Sequence, residues 1–212
     1  MKGTKAMFYR PDRKTGAGHG LPHNPFNAIV TPRPIGWIST RGSDGSDNLA
    51  PYSFFNAVSY FPPQVMFAST GAKPDRDGTK DSVANIRDTG VFAVNVVSHA
   101  LREPMNHSSG PWEKETDEFA LTGLDKGQCE TIDCGFVTAS PATLECRMTQ
   151  IVTLEGEHNV MVIGEVTGIR LSDDCIREGI FDVLSFNPVS RLGYRDFATV
   201  TEVYSLKRPG EA

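Results

Sequence analysis

Runs in which apolar and polar residues alternate mark the strands that the sequence predicts. Between residues 142 and 154, Ala, Leu, Cys and Met alternate with Thr, Glu and Arg. A period of two places one face of a strand in the core and the other towards solvent. Short apolar runs between turn signals predict further strands over residues 35–40, 48–50, 65–70, 91–97, 160–171, 181–185 and 197–204. Gly164 and Gly168 are predicted to mark bulges or close approaches within a strand.

Helix signals are few and short. Asn24 and Pro25 suit the start of a helix over residues 26–30. A second helix is predicted over residues 83–87 and ends near Gly90, and a third over 99–108. Many strands, one to three short helices and no regular alternation of strand and helix predict a β-dominated antiparallel barrel.

The segment over residues 52–59 shows neither the strand pattern nor the helix pattern. Pro51 lacks a backbone donor, so we expect it to push the chain out of the ladder. The residues that follow are too polar at alternate places for a buried strand and too aromatic for a solvated loop. We therefore expect a long loop, rich in aromatic and hydroxyl groups, beside the second and third strands.

Composition and charge narrow the class of protein. The 212 residues suit one domain, with residues 1–22 as a basic, glycine-containing N-terminal arm and residues 23–212 as the domain. The net charge of −5 argues against general nucleic-acid binding. No apolar run reaches the roughly 18 residues of a membrane span, and no signal peptide is evident, so we expect a cytoplasmic protein. The four cysteines form no CxxC pair and are expected to be reduced thiols.

The familiar catalytic motifs are missing from the sequence. It contains no GxSxG, HExxH or Walker loop, the glycine-rich stretch at residues 16–20 follows no strand, and no metal site is indicated. The chemistry is therefore expected to come from a cofactor, with the protein supplying position and electrostatics.

One candidate site is an anion-binding helix start. Lys80, Asp81 and Ser82 open the second predicted helix, whose first N–H groups and dipole favour a phosphate. Ser69 and Thr70, at the end of the third strand, can add hydroxyl donors. The alternative is a solvated surface lysine beside a capping aspartate, and spacing alone favours that alternative.

A second candidate is a surface for a flat aromatic ring. Residues Pro51, Tyr52, Ser53, Phe54 and Phe55 combine extended backbone, aromatic rings and a hydroxyl. Such a ribbon can hydrogen-bond one edge of a ring and pack against the remainder. The alternative is that the aromatic residues belong to the barrel core or a dimer interface, which we expect for at least one of Phe54 and Phe55.

Six ordered motifs resemble the flavin reductase-like family of FMN-binding split barrels, which includes reductase components of two-component monooxygenases and flavoredoxins. They are TPRPIGWIST, NLAPYSFFNAVSYFPP, KDSVANI, FAVNVV, EGEH leading into MVIGEV, and NPVSRLGY. The resemblance covers residues 25–195. It implies a six-stranded antiparallel split β-barrel, a homodimer with FMN in an interface groove, and NADH or NADPH as co-substrate. It places the FMN phosphate beside Lys80, Asp81 and Ser82.

Two departures from the family pattern affect the site. The family's G-D-H turn is Gly156-Glu157-His158 here, and the loop over residues 71–79 carries Lys73, Asp75 and Arg76. The resemblance puts His158 near the exposed flavin face, where it can orient the nicotinamide or donate a proton. A solvent-exposed turn histidine is the equal alternative.

Three functions follow from the resemblance. The first is an NAD(P)H:flavin oxidoreductase that transfers hydride from nicotinamide C4 to flavin N5, with a partner monooxygenase as one implied recipient of reduced flavin. The second is a flavoredoxin-type electron carrier with bound FMN. The third is a flavin-binding protein without turnover.

Overall fold

In the computed structural model, the described residues are 6–73 and 78–210. Asp75 and Arg76, which the sequence marks as charged loop residues, and the first five residues of the predicted arm lie outside them. Within the described residues, no helix has the length and apolar character needed to span a membrane.

Fourteen strands and four short α-helices make up the described chain. The helices are α1 Phe26–Ile29, α2 Asp81–Thr89, α3 Arg102–His107 and α4 Glu118–Thr122, with 3₁₀ turns at His99–Leu101, Asp173–Cys175 and Val183–Ser185. The strands are β1 Arg33–Pro34, β2 Gly36–Arg41, β3 Asp47–Tyr52, β4 Phe55–Tyr60, β5 Pro63–Ser69, β6 Val91–Val96, β7 Lys126–Gln128, β8 Gly135–Val137, β9 Ala142–Thr153, β10 Val160–Leu171, β11 Ile176–Arg177, β12 Ile180–Phe181, β13 Val189–Arg191 and β14 Phe197–Thr199.

The main sheet has seven strands in the order β3-β2-β6-β9-β10-β5-β4, and every pairing in it is antiparallel. The β-dominated antiparallel fold with few short helices is therefore confirmed, with seven strands where the resemblance implies six. Strands β9 and β10 shift register at Gly164 and Gly168. A Cβ on Gly164 would lie 2.5 Å from the Phe92 ring. The predicted bulge and close approach are therefore confirmed.

The sheet curls so that its two edge strands meet at a seam. Strands β3 and β4 stand at opposite edges, yet only Ser53 and Phe54 separate them in sequence. The edges must therefore approach each other at these two residues, although no ladder of hydrogen bonds joins β3 to β4.

Two expectations about this region are wrong. Pro51 stays within the ladder, opposite Trp37, because β3 is an edge strand that needs no donor on its outer side. The expected long loop over residues 52–59 contains β4, which pairs with β5. Its side chains are mostly half-buried or exposed, because β4 is the other edge.

Core side chains fill both faces of the central strands. Phe67, Phe92 and Ile38 lie fully buried inside the curl, and Val83 and Ile86 of α2 close over them. A second cluster of apolar side chains packs on the outer face of β2 and β3: Ile35, Trp37, Leu49, Val97, Leu101, Met105, Phe119, Val137 and Val189. Strand β2 is therefore buried on both faces, which explains why its sequence shows no clean alternation.

A small sheet from the two ends of the domain flanks the seam. Strand β1 pairs with β13, and β13 pairs with β14. Residue Gly193 follows β13 and packs so tightly on α1 that a Cβ there would lie 2.5 Å from Ala28 Cβ. This contact holds the segment after β13 against the N-terminal part of the domain.

Candidate functional site

A cavity of about 260 Å³ opens at the seam. We call it the seam pocket. Ser53 and Phe54 line it where the sheet edges meet, and the small sheet supplies its opposite wall. The full lining is Asn27, Arg33, Pro51, Tyr52, Ser53, Phe54, Ala68, Thr70, Lys80, Arg191, Leu192 and Tyr194. No carboxylate is among these residues, whereas three of them are cations.

Two of these cations face each other directly. Arg33 and Arg191 are cross-strand partners in the β1–β13 pairing. Like charges directly opposite each other in a sheet are destabilising. Burial, and secondly the charge of Arg191, lowers the pKa of Arg33. The pair therefore concentrates positive charge where the fold supplies no counter-charge.

Arg33 is held rigidly and keeps one donor unused. The residue is only 6 % exposed. Its guanidinium donates to the carbonyls of Asn27, Val30 and Leu192, and it lies 5.8 Å from the centroid of the Phe54 ring. Arg33 Nε has no hydrogen-bond partner within the described part of the chain. An orphan donor on a buried cation is costly unless a ligand accepts from it.

Lys80 brings the third positive charge from the start of α2. Its backbone is extended, and no side chain caps the first turn of the helix. Its Nζ lies 5.9 Å from the centroid of the Tyr52 ring. Burial lowers the pKa of Lys80. The half-buried ammonium and the uncapped helix start together favour an anion here.

The predicted site residues divide into two groups. Pro51, Tyr52, Ser53, Phe54, Thr70 and Lys80 line the seam pocket. Ser69, Ser82 and Phe55 do not line it, and Asp81 forms an ion pair with Lys73 at 2.6 Å. Phe55 packs against Gly36, where an added Cβ would lie 2.8 Å from its ring.

Ser69 and Ser82 lie near the hydroxyl of Tyr52 and do not line the pocket. Burial raises the pKa of Tyr52 to about 12, against the smaller lowering effect of the nearby Ser82 and Ser69 hydroxyls. Asn48 Nδ2 also donates to Ser82 Oγ at 2.9 Å. These contacts join β3, β5 and the start of α2 behind the pocket, so both serines support the site rather than line it.

His158 lies apart from these cavities. The residue is exposed and has a left-handed backbone with φ of 57°. Its ring contacts Gly78, since a Cβ on that glycine would lie 2.9 Å from His158 Cε1 and Nδ1. Gly78 comes two residues before Lys80, so His158 supports the approach to the helix start.

Three further cavities continue from the seam pocket. One of about 350 Å³, which we call the Trp112 pocket, shares Pro51, Tyr52 and Lys80 with it. A bridging cavity of about 250 Å³ shares Pro51, Ser53 and Arg191. It leads to an outer pocket of about 660 Å³ that also includes Arg191. Together they form one groove across the seam.

The Trp112 pocket holds a carboxylate with an unusual proton affinity. Burial raises the pKa of Glu118 to about 7, against the effect of the hydrogen bond from Leu49 N–H at 2.9 Å, and the charge of Asp81 adds to the rise. Within the described chain, no cluster of three or more His, Cys, Asp or Glu side chains can hold a metal ion.

Sequence reasoning missed Arg33 and Arg191 as site residues. Both lie inside motifs that the sequence displays, TPRPIGWIST and NPVSRLGY. Their positions in these motifs could have named them, but their pairing across the small sheet could not be read from either segment alone.

Fold and site together define a split-barrel protein with a cation-lined pocket at the seam of its sheet. The chain belongs to the flavin reductase family, because the flavin reductase like domain matches residues 29–188.

Several proteins are similar to this one along most of the chain, in sequence or in structure. An uncharacterized protein of Deinococcus radiodurans is 39% identical over 193 residues, covering 86% of this chain and 82% of the relative. The structure of 2-nitrobenzoate 2-nitroreductase of Pseudomonas fluorescens is similar with a TM-score of 0.77 at 28% identity, over 87% of this chain and 89% of that one. Nitrilotriacetate monooxygenase component B of Bacillus cereus shares the fold with a TM-score of 0.85 at 21% identity, over 96% of this chain and all of its own.

Proposed function

We propose that this protein is an NAD(P)H-dependent flavin reductase that holds FMN at the seam. One observation carries the proposal. Arg33 and Arg191 oppose each other in register, Lys80 joins them, and no carboxylate lines the same pocket. A phosphate would relieve the repulsion and accept from the orphan Arg33 Nε.

The residues present fit the two ends of FMN. Lys80, Thr70 and the arginine pair would hold the phosphate, with the uncapped first turn of α2 beside it. Pro51, Tyr52, Ser53 and Phe54 would receive the ring. The Tyr52 hydroxyl contacts with Ser69 and Ser82 would keep this ribbon rigid against α2.

FMN, when bound, supplies the redox chemistry, because it accepts a hydride from a nicotinamide. The protein's own contribution is to bind, orient and exclude water, so no general base is required. His158 is proposed to help position the nicotinamide from the loop beside Gly78.

The proposal extends to the assembly and the acceptor. We propose a homodimer in the cytoplasm, where reduced nicotinamide nucleotides are present. A partner monooxygenase that receives reduced flavin is the proposed acceptor, since the structurally similar Bacillus cereus protein is a monooxygenase component B.

Binding of FMN and of riboflavin to the flavin-free protein tests the phosphate contact, because riboflavin lacks only the phosphate. Fluorescence titration should give a dissociation constant for FMN about 100-fold lower than for riboflavin, which corresponds to about two charge-assisted contacts. Equal dissociation constants for FMN and riboflavin would show that the phosphate does not bind in the seam pocket.

Anaerobic addition of NADH and of NADPH to the FMN-loaded protein tests the activity. At least one nucleotide should bleach the flavin absorbance. If FMN binds but neither nucleotide reduces it, the reductase assignment is wrong and an electron carrier reduced by a protein donor takes its place.

A further inference from the structure

The outer pocket is an unassigned cavity rich in guanidinium groups. It has a volume of about 660 Å³, within the range of small-molecule sites. Its lining combines three arginines with amide, hydroxyl and apolar groups: Arg102, Glu103, Met105, Asn106, Ser109, Val189, Arg191, Arg195, Phe197 and Thr199. Glu103 is the single carboxylate among these residues, so positive charge exceeds negative charge in the lining.

The outermost arginines have little internal compensation. Arg195 is exposed and has no hydrogen-bond or ion-pair partner within residues 6–73 and 78–210. Its neighbour Asp196 does not line the pocket. Arg102 donates to the His99 carbonyl at 2.9 Å and lies 3.5 Å from Glu103, whose side chain is mostly exposed. An exposed pair of this kind contributes little, so both cations remain able to bind an anion.

The pocket also offers a stacking surface for an aromatic ring. Arg191 lies 4.4 Å from the centroid of the Phe197 ring. Met105 and Val189 add apolar area beside it. A flat ring can stack on the guanidinium plane or on the exposed part of Phe197. The pocket therefore suits a ligand that combines a planar ring with a separate anionic group.

The position of the outer pocket relative to the seam pocket indicates the class of ligand. The bridging cavity shares Ser53 with the seam pocket and Phe197 with the outer pocket. A dinucleotide whose nicotinamide meets the flavin beside Ser53 has this groove along which to extend. Its adenosine end would then extend towards the outer pocket, which shares Phe197 and Arg191 with the bridging cavity.

We propose that the outer pocket binds the adenosine 2′-phosphate end of NADPH, and that Arg102 and Arg195 select NADPH over NADH. The role of this site in flavin reduction rests on the proposed flavin reductase function. Arg191 already lines the seam pocket. The two further arginines at the outer end therefore supply more positive charge than binding of an uncharged ribose requires. Guanidinium groups bind phosphate through paired charge-assisted hydrogen bonds.

Calorimetric titration of the full-length protein with adenosine 2′,5′-bisphosphate and with 5′-AMP tests the pocket without turnover. The bisphosphate should bind about 10-fold or more tightly than 5′-AMP, since it alone carries the 2′-phosphate. Arg195→Gln and Arg102→Gln should each remove most of this difference. Arg177→Gln is the matched control, because Arg177 is exposed and lines none of the groove cavities.

Kinetics of the FMN-loaded protein give the second readout. Arg195→Gln should lower kcat/KM for NADPH about 10-fold or more, with kcat/KM for NADH and the FMN dissociation constant unchanged. Equal losses for both nucleotides, or equal binding of the bisphosphate and 5′-AMP to the wild type, would overturn the proposal.

The two proposals fail in distinguishable ways. If FMN binds through its phosphate and NADH reduces it as well as NADPH does, the outer pocket loses its assignment and the reductase stands. If FMN does not bind while Arg195 still discriminates the bisphosphate from 5′-AMP, the reductase falls and the nucleotide site stands.

Discussion

Two groups of cations in this protein have opposite surroundings. At the hairpin of β2 and β3, the buried carboxylate of Asp47 pairs with Arg41 Nε at 2.9 Å and with Lys126 Nζ at 2.5 Å. At the seam, Arg33, Lys80 and Arg191 line one pocket that has no carboxylate. The first group is neutralised by the fold, and the second leaves room for an anion from outside.

The proton affinities show the same contrast. The hydrogen bond that Arg41 donates to the Asp47 carboxylate raises the pKa of Arg41. Burial lowers the pKa of Lys126, but the hydrogen bond and charge of Asp47 outweigh it, so the net shift is upward. At the seam, burial lowers the pKa of both Arg33 and Lys80. A cation whose pKa falls is one that the protein itself does not stabilise.

Cavity size alone would favour a region other than the proposed site. A depression of about 680 Å³ lies near the paired group and includes Arg41 and Asp133. There Arg41 forms an ion pair with Asp133 at 2.6 Å, and Arg147 donates to the Thr131 carbonyl. The seam pocket is smaller, yet three cations and no carboxylate line it, and this charge balance is why we propose it as the phosphate site.

Removing the shared carboxylate should cause the largest change in stability. Asp47→Ala leaves Arg41 and Lys126 without their buried partner, and we expect the free energy of unfolding to fall by about 2–3 kcal/mol, discounted for their partial exposure. Chemical denaturation measures it, with Asp133→Ala as the control, because the Asp133 side chain is 80% exposed. A loss below about 0.5 kcal/mol for Asp47→Ala would end the contrast between the two groups.

Glu118 predicts a pH-dependent stability next to the seam. Its folded pKa of about 7 lies above the ordinary value near 4.5, so the folded state holds the proton more tightly. Stability is then highest below pH 4.5 as far as this group is concerned, and is lost as pH rises from 4.5 through 7.

The rise in pKa from 4.5 to about 7 corresponds to at most about 3 kcal/mol, and we expect a loss of about 2 kcal/mol across this window after a discount for solvent screening. Unfolding curves between pH 4.5 and 8 measure it, and the difference between wild type and Glu118→Gln isolates this group. The glutamine keeps an acceptor for Leu49 N–H, so identical pH profiles for the two proteins would show that Glu118 titrates normally.

Lys80→Ala should change ligand affinity without lowering stability. We expect FMN to bind about 10-fold more weakly, because one charge-assisted contact is lost. The unfolding free energy of the flavin-free protein should stay constant, since burial already disfavours the charged lysine. Lys114→Ala, at an exposed position, is the control. Unchanged FMN affinity would remove Lys80 from the site and leave the seam arginines to account for the anion.

His158→Asn should have the smallest effect. Asparagine tolerates the left-handed backbone at this position, so the turn is retained. We expect the rate of flavin reduction by nucleotide to fall about threefold, since an exposed side chain contributes only a fraction of a kcal/mol. The FMN dissociation constant should not change. Stopped-flow measurement of an unaltered rate would exclude His158 from the reaction.

Local signals in the sequence were enough for the long strands and for α2. Alternation predicts a strand over residues 142–154, and an apolar run after a turn predicts one over 160–171; the strands are Ala142–Thr153 and Val160–Leu171. The helix that opens at Lys80, Asp81 and Ser82 and stops at Gly90 is also confirmed, because both ends depend on neighbouring residues only. It runs over Asp81–Thr89 and is longer than the predicted 83–87. Residues 197–204 are shorter as a strand than predicted, at Phe197–Thr199.

The seam was harder to predict because it depends on strand order. The predictions that Pro51 leaves the ladder and that residues 52–59 form a loop are wrong. No local sequence signal shows that β3 and β4 are the two edges of one sheet. Ser69 and Ser82 look like phosphate ligands in sequence, and only the folded chain brings the Tyr52 hydroxyl to both. The Arg33–Arg191 pairing joins distant segments, and no single motif contains it.

The contact of Gly193 with Ala28 has a consequence for how the molecule is completed. Arg33 donates to the carbonyl of Leu192, 159 positions further along the chain. The wall of the seam pocket opposite Phe54 therefore forms only after the C-terminal segment that contains Leu192 has packed against the domain. A ribosome-bound chain that stops at residue 188, where the family match ends, has every strand of the main sheet but lacks Arg191. Loading of the seam pocket therefore requires the C-terminal segment, and a truncation before β13 would separate folding of the main sheet from ligand binding.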